Sequence, residues 1–371
     1  MAADEQLQTN NRDSQGRLSF LDWTRGLAVV IMLQGHVFHS YALPNLRGDG
    51  PFVLSQLFGG LGPAIFLVLT GITLAFIMDG RERQGLGSAQ RWKAALRRAG
   101  YLYMLAFLFR LQLWLFAYPG SAWTDLFRVD ILNCMGFAIA LMSVMAVFTT
   151  AERVRLCAVL GAAIAAMSPI VSSIDWSWLP APVSHYFVPN YNFFAFFPWA
   201  SFIAFGLSIG SLLRLAKPDQ MNRVAQWSAL GGLGLVLAGQ YFSNLPYSIY
   251  PKSEFWLDSP GLIVIKLGVV LLVMSFAYLW TEVGVGQSWS WLRQFGSTSL
   301  IVYWVHIEIV YGRWFWFWKE NLNNWQCAAY AAILILAMLA LSVARTRWKK
   351  FRLPSLTPYF TFNNARRASG D

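Results

Sequence analysis

Long apolar segments, each able to cross a bilayer as a helix, recur along nearly the whole chain. The hydrocarbon core of a bilayer is spanned by roughly 20 apolar residues in helical form. Only 13% of the 371 residues are charged, against about 25% in soluble domains. The sequence therefore predicts an all-α, polytopic integral membrane bundle of about ten transmembrane helices. The predicted segments are 20–42, 53–78, 96–118, 126–149, 154–172, 193–215, 226–243, 261–281, 297–318 and 325–345.

Lysine and arginine are concentrated in alternate connections between these segments, with 21 on one side and three on the other. Because positively charged connections stay in the cytoplasm, both termini are predicted to be cytoplasmic, which agrees with an even number of crossings. The net charge of +11 then reflects topology, and it gives no reason to expect a nucleic-acid partner. We expect a multi-pass protein of the inner (cytoplasmic) membrane, in contact with membrane lipids.

The expected domain organisation is simple. Residues 1–18 form a cytoplasmic tail, residues 19–345 one transmembrane domain, and residues 346–371 a basic cytoplasmic tail. A basic tail of this kind is expected to lie on anionic lipid headgroups.

The first predicted helix carries ionisable residues that hydrocarbon disfavours. Such residues are usually buried inside a bundle and serve function. Ser19 and Asp22 have the spacing of a capping box, and Asp22 can pair with Arg25 three residues later. At 1.5 Å per residue, His36 lies about 16 Å beyond Arg25, near mid-membrane, and His39 lies about 4.5 Å further on the same face.

A neutral histidine at mid-membrane can accept a proton, which suits a general base. His36 and His39 are therefore the candidate catalytic residues, and Arg25 is placed to hold a phosphate. The structural alternative is a histidine hydrogen-bonded to a neighbouring helix and an arginine that marks the membrane boundary. No metal is expected, because no cysteine accompanies the two histidines on this helix, and its single carboxylate, Asp22, lies far from them.

Further polar residues lie within or beside other predicted helices. Tyr303 and His306 share a face of the ninth helix, and either line the site or serve structure. Glu308 is expected to pair with a basic residue on another helix, such as Lys266 or Arg110.

At the start of the fourth helix, Asp130 and Asn133 either contact an acceptor hydroxyl or cap the helix. Arg97 and Arg98 end a basic stretch at residues 80–98 that either holds phosphates or follows from topology alone.

Two non-cytoplasmic connections are rich in proline and aromatic residues. They read "SIDWSWLPAPVSHYFVPNYN" (173–192) and "NLPYSIYPKSEFWLDSP" (244–260), and the first contains no lysine or arginine. These aromatic side chains either stack on sugar rings or anchor the protein at the membrane interface.

The segment "LDWTRGLAVVIMLQGH" (21–36) resembles the first-helix signature of the transmembrane acyltransferase superfamily, in which an arginine precedes a histidine by eleven positions. The sequence is similar to heparan-α-glucosaminide N-acetyltransferase-like proteins within that superfamily. Four further stretches fit the pattern in order: "GPAIFLVLTGITLAF" (62–76), "RVDILNCMGFAIAL" (128–141), "FFPWASFIAFGLSIG" (196–210) and "FGSTSLIVYWVHIEIVYG" (295–312).

The resemblance implies transfer of an acyl group, usually acetyl, from cytoplasmic acetyl-CoA or another acyl-CoA to a sugar or glycan at the far face. It implies that His36 is the catalytic histidine, whereas it assigns no role to His39. Our interpretation places Asp22, Arg25, Arg97 and Arg98 at the donor, and Asp130, Asn133, Tyr303 and His306 at the acceptor.

Two questions stay open at the level of the sequence. One is whether the protein forms a homodimer. The other is the class of function, because the same charges also suit a transporter or flippase for an anionic lipid or glycan.

Overall fold

The computed structural model describes residues 18–282 and 289–351, so the expected tails at 1–18 and 346–371 lie largely outside it. Eleven helices of ten or more residues form within the described ranges, and no β-strand forms there. They are α1 (Ser19–Tyr41), α2 (Gly50–Gly59), α3 (Leu61–Arg83), α4 (Ser88–Ala117), α5 (Ile131–Met142), α6 (Thr150–Ser173), α7 (Phe196–Leu215), α8 (Met221–Ser243), α9 (Pro260–Glu282), α10 (Trp291–Tyr311) and α11 (Asn324–Phe351).

The expected polytopic all-α membrane bundle is confirmed. Six segments of the described chain are long and apolar enough to cross a membrane. They are Gly50–Arg83, Ser88–Ala117, Thr150–Ser173, Phe196–Leu215, Pro260–Glu282 and Asn324–Trp348. All ten predicted windows fall on helical segments, with α2 and α3 sharing one window and the turn Ser143–Val147 extending α5. The number of crossings and the cytoplasmic termini stay predictions. Helix α11 continues to Phe351, beyond the expected domain boundary at residue 345.

The two ends of the bundle can be told apart by where helices α1, α10 and α11 begin and end. The amide of Gln294, early in α10, bonds Ser342 and Thr346 near the end of α11, and the start of α10 packs against the start of α1. We call this end proximal, and the opposite end, where α1 finishes at Tyr41 and α10 at Tyr311, distal.

Helix α1 is at the centre of the architecture, packed against α2, α3, α9, α10 and α11. Trp23 and Ala28 belong to a large apolar core shared with α3, α5 and α7. Leu33 and Val37, which face the other way, belong to a second core with α10 and α11. The helix thus separates two cores and presents its remaining side chains between them.

Close backbone approach fixes α1 against α10. A methyl group at Gly26 would overlap the carbonyl of Leu292, and one at Gly296 would overlap the carbonyl of Asp22. Only glycine allows this separation, and small residues serve the same purpose at helix interfaces within membranes.

Charged residues tie helices together at the proximal end. Asp79 and Glu82, in the last turns of α3, are both held by arginines from other helices. Arg153 of α6 donates to Glu82 over 3.0 Å and Arg91 of α4 lies 3.1 Å from it, while Arg214 of α7 donates to Asp79. Part of the basic excess at this end is therefore used in packing.

The start of α1 differs from the expectation. Ser19 is the first helical residue, and the N-cap is Leu18, which offers no side-chain hydrogen bond. The predicted capping box of Ser19 and Asp22 was wrong, because the helix begins one residue earlier than that motif requires.

Candidate active site

A cavity of about 940 Å³ lies beside α1 and is enclosed mainly by α3, α4, α5 and α10. Arg25 and Arg345 line it at the proximal end, while His39, Arg128 and Tyr191 line it at the distal end. Its volume falls at the upper part of the range of small-molecule sites, which is about 300–1,000 Å³. The cavity therefore gives one continuous space for groups approaching from both ends of the bundle.

His36 lines this cavity and contacts His306, a fully buried residue of α10. The Nδ1 atom of His36 lies 3.0 Å from Nε2 of His306. The two rings are nearly parallel, at 14° with centroids 5.3 Å apart. On its other side, Nδ1 of His306 lies 2.8 Å from the carbonyl oxygen of Val302.

These contacts assign the protons of both imidazoles. A carbonyl oxygen only accepts, so Nδ1–H of His306 must donate to Val302. A neutral His306 then carries a lone pair on Nε2, which accepts from Nδ1–H of His36. A neutral His36 is left with an unprotonated Nε2, the atom that a general base or nucleophile needs.

Two tyrosines of α10 flank the histidines. The ring of Tyr311 contacts His36 edge-to-face at 5.3 Å, and its hydroxyl lies 3.4 Å from Nδ1 of His39. Tyr303 packs edge-to-face against His306 at 5.7 Å and lines the cavity. Together the rings hold both imidazoles in fixed orientations.

The proximal part of the cavity is basic and rich in hydroxyl groups. Arg25 donates to Asp22 over 2.9 Å, as the spacing predicted, and still lines the cavity. Arg98 of α4 and Arg345 of α11 line it as well. The hydroxyl-bearing residues 297–299 also line the cavity, where α10 departs from helical geometry at Thr298. Irregular backbone inside a membrane is tolerated where it is buried in protein or lines a cavity.

The distal part holds an ion pair between helices. Arg110 of α4 lies 3.2 Å from Asp130, which precedes α5, and both line the cavity. Asp130 also caps α5 in a capping box with Asn133. The amide of Asn133 is occupied by this box and by Tyr186, and its side chain is buried off the cavity.

The structure brings together most of the residues that the sequence indicated. His36, His39, Arg25, Arg98, Asp130 and Tyr303 all line the cavity. Asp22 pairs with Arg25 at its edge, and His306 lies behind His36. Arg97 and Asn133 do not line the cavity; Arg97 is exposed, and Asn133 serves as a cap.

The predicted partners of Glu308 were wrong. Its carboxylate accepts from Trp314 at 3.1 Å and from Gln112 at 3.5 Å. Among the described residues, Arg110 pairs with Asp130, and Lys266 lies over the ring of Trp199. The position of a residue on a helical wheel gives a direction relative to its own helix only. It does not identify the neighbouring helix that lies in that direction.

Sequence reasoning missed Arg345 and Tyr311. Arg345 is the first residue of the stretch "RTRWKKFRLP". The basic density of this stretch indicated a headgroup-binding tail, whereas the side chain of Arg345 lines the cavity. Tyr311 follows His306 by five residues and carries no local signal. Within the described ranges no group of three histidine, cysteine, aspartate or glutamate side chains is close enough to hold a metal ion.

The fold and the site together define a polytopic membrane protein in which an imidazole, with one nitrogen free to accept a proton, faces a cavity that is basic at its proximal end. Comparison with protein families agrees. Residues 17–251, more than half of the chain, match the family described as heparan-alpha-glucosaminide N-acetyltransferase, catalytic. The chain belongs to this family, and hence to the membrane acetyltransferases.

The match covers four of the five stretches that carried the resemblance, whereas residues 295–312 lie outside it. A search of curated proteins found no significant match.

Proposed function

We propose that the protein transfers an acetyl group from acetyl-CoA, bound through the proximal end, to an amine or hydroxyl of a sugar at the distal end. His36 acts as the general base, and the proximal end faces the cytoplasm. One observation carries the proposal: His36 lines a cavity that extends toward both ends, and its hydrogen bond to His306 leaves Nε2 unprotonated.

The donor end suits a nucleotide that carries several phosphates. Arg25, Arg98 and Arg345 come from three different helices and line the same part of the cavity. Arginine is well matched to phosphate, because its planar guanidinium donates two parallel hydrogen bonds. The hydroxyl group of Ser299, which also lines this part of the cavity, supplies a further neutral donor. From this end the acetylated arm of CoA extends along α1, and the rise from Arg25 to His36 is about 16 Å.

The reaction is written as follows. The acceptor nitrogen or oxygen attacks the thioester carbonyl carbon, and its proton passes to Nε2 of His36. The carbon–sulfur bond then breaks, and the departing thiolate takes the proton from His36, which restores the starting state. A two-step route uses the same nitrogen as a nucleophile to form an acetylated His36 before the acceptor attacks. In both routes the two bound substrates fill the cavity from its two ends and displace water, which would otherwise hydrolyse the thioester.

The acceptor end offers hydrogen-bonding groups of several kinds. His39, Tyr311 and Asp130 line the distal part of the cavity near His36. Sugar hydroxyls both donate and accept, and this set of imidazole, phenol and carboxylate groups can satisfy them. Arg110 holds Asp130 in place through their ion pair.

The test uses the full-length protein in nanodiscs, with acetyl-CoA as donor and methyl α-glucosaminide as acceptor. Free thiol is measured over time. We expect thiol release that requires the acceptor and falls about 100-fold or more in His36→Gln, since general base catalysis contributes about 10²–10⁴-fold. Calorimetry should show that His36→Gln still binds acetyl-CoA, which separates lost chemistry from lost folding.

Two results would overturn the proposal. One is thiol release by His36→Gln at the rate of the unmodified protein. The other is uptake of the labelled glucosaminide into vesicles without thiol release, which would favour a transporter.

A further inference from the structure

A second concavity, of about 420 Å³, lies at the distal end in the connection between α6 and α7. We call it the loop pocket. Asp175, Trp176, Ser177, His185 and Asn190 contribute to its wall. The connection contains the proline- and aromatic-rich stretch for which the sequence left two roles open, sugar stacking and membrane anchoring.

The loop pocket adjoins the cavity that holds His36. Asn190 lines the loop pocket, while the next two residues, Tyr191 and Asn192, line the cavity. Because consecutive Cα atoms are 3.8 Å apart, the two spaces are separated at this point by the thickness of a single stretch of backbone. Asn190 stiffens this wall by accepting from the backbone N–H of Asn192 over 2.7 Å.

One aromatic ring also joins the two sites. The ring of Phe193 stacks on His185 of the loop pocket, with centroids 4.1 Å apart. The guanidinium of Arg128, which lines the cavity, lies 5.8 Å from the centroid of the same ring. A ligand that occupies both spaces would therefore lie across a short, rigid partition.

The chemistry of the loop pocket fits an uncharged or amine-bearing sugar unit. Hydrogen bonds from Ser177 lower the pKa of Asp175, so its carboxylate is ionised at neutral pH. Burial lowers the pKa of His185, so its imidazole is neutral there and can donate and accept at once. Residues 173–192 include no lysine or arginine. A uronate or sulfated unit would meet the Asp175 carboxylate without a compensating cation from this stretch.

Two tryptophans of the connection suit different roles, one as a membrane anchor and the other as part of the pocket wall. Trp178 is 71% exposed and suits an interfacial anchor. Trp176 is half-buried, and its indole N–H donates to the carbonyl of Val171 over 2.9 Å. Its N–H is thus unavailable to lipid headgroups, and its indole forms part of the wall of the loop pocket.

We propose that the loop pocket binds a second, uncharged or amine-bearing sugar unit of the acceptor glycan, next to the unit that is acetylated at His36. The site makes the protein prefer an oligosaccharide to a monosaccharide. The role of the loop pocket in acceptor choice rests on the proposed function. Sugar binding in the pocket, in contrast, can be measured independently of acetyl transfer.

The kinetic test compares methyl α-glucosaminide with an unsulfated tetrasaccharide that ends in the same α-glucosamine unit. Two variants disturb the pocket: Ala181→Leu fills it, and Asp175→Asn removes its charge. Val183→Leu is the matched control, because Val183 lies in the same helical turn and is 43% exposed but does not line the pocket.

In the wild type, kcat/KM should be higher for the tetrasaccharide than for the monosaccharide. Ala181→Leu should lower that ratio about tenfold or more, because the larger side chain occupies the pocket. Asp175→Asn should lower it about tenfold, as expected for loss of one hydrogen bond to a charged group. Val183→Leu should keep the ratio. An unchanged ratio in both pocket variants would overturn the inference.

The binding test is independent of turnover. A tetrasaccharide whose terminal amine is already acetylated is titrated calorimetrically into wild type and Ala181→Leu, and binding should weaken about tenfold in the variant. If no acceptor is acetylated but this binding difference is found, the proposed function fails and the sugar site stands. If short-chain phosphatidylethanolamine binds instead and Ala181→Leu abolishes that binding, the pocket is a lipid site and the inference is overturned.

Discussion

His306 is expected to set the rate of the reaction, although it does not line the cavity. It is fully buried, and its Nε2 lies 3.0 Å from Nδ1 of His36. Its own Nδ1–H is committed to Val302 over 2.8 Å. His306 is therefore a positioning residue, which fixes both the ring orientation and the tautomer of His36. The informative change is His306→Leu, which removes the acceptor and keeps an apolar side chain of moderate size.

The magnitude follows from how this hydrogen bond changes during the reaction. Between two neutral rings it contributes about 0.5–1.5 kcal/mol, whereas a hydrogen bond to a charged group contributes about 1.5–3 kcal/mol. His36 becomes charged when it takes the proton of the acceptor, so about 1–1.5 kcal/mol is gained only in the transition state. Loss of the fixed tautomer and orientation adds to this. Since about 1.4 kcal/mol equals a factor of ten in rate, kcat should fall about 10- to 100-fold.

The assay is thiol release, with acetyl-CoA and the glucosaminide each varied in turn while the other is held at saturation. His306→Leu should lower kcat while the KM for acetyl-CoA stays within about twofold, because the donor phosphates bind at the other end of the cavity. His306→Gln supplies a side-chain oxygen as an acceptor for His36, and it should recover about tenfold of the lost rate. The reasoning is refuted if His306→Leu elutes and melts like wild type with an unchanged kcat. It is also refuted if His306→Gln is no faster than His306→Leu.

Two further predictions concern the donor and the packing. Arg345→Gln should raise the KM for acetyl-CoA about tenfold, through loss of one charge-assisted hydrogen bond to phosphate. Arg347→Gln, on the same helix but off the cavity, should leave that KM unchanged, and equal values for both variants would argue against a role for Arg345. Gly26→Ala should destabilise the bundle by roughly 1–3 kcal/mol, because the added methyl group would overlap the Leu292 carbonyl. Gly231→Ala in α8, where space is open, should melt like wild type in detergent, and the same melting temperature for both variants would contradict the packing argument.

The helices were predictable from the sequence because their signals are local. A run of about 20 apolar residues defines a span wherever it occurs, and all ten windows fall on helix. The Asp22–Arg25 pair was predictable for the same reason, since three residues along a helix bring side chains to one face. The cap of α1 was missed, because the capping-box spacing placed Ser19 just outside the helix, whereas Ser19 is the first helical residue and Leu18 is the N-cap.

The site was predictable only in part, because its contacts join distant parts of the chain. His36 was indicated by its place in an apolar helix, but its partner His306 is 270 residues away. The spacing within one helix cannot show which helix its polar face meets. Arg345 begins a basic stretch whose charge density indicated a tail and not a site residue. Asn133 was predicted either to cap a helix or to contact the acceptor, and the capping box in the structure shows that it is a cap.

The packing around His36 favours an enzyme over a transporter. Alternating access requires one group of helices to move against another around a fixed site. Here α1 and α10, which carry His36 and His306, approach so closely that a methyl group at Gly26 would overlap the Leu292 carbonyl. Helices α3 and α7 approach as closely, where Gly206 meets the Val68 carbonyl. Sliding either pair would break these backbone contacts and the 3.0 Å bond between the histidines. A rigid frame of this kind suits catalysis, in which both substrates come to a preorganised base and the base stays in place.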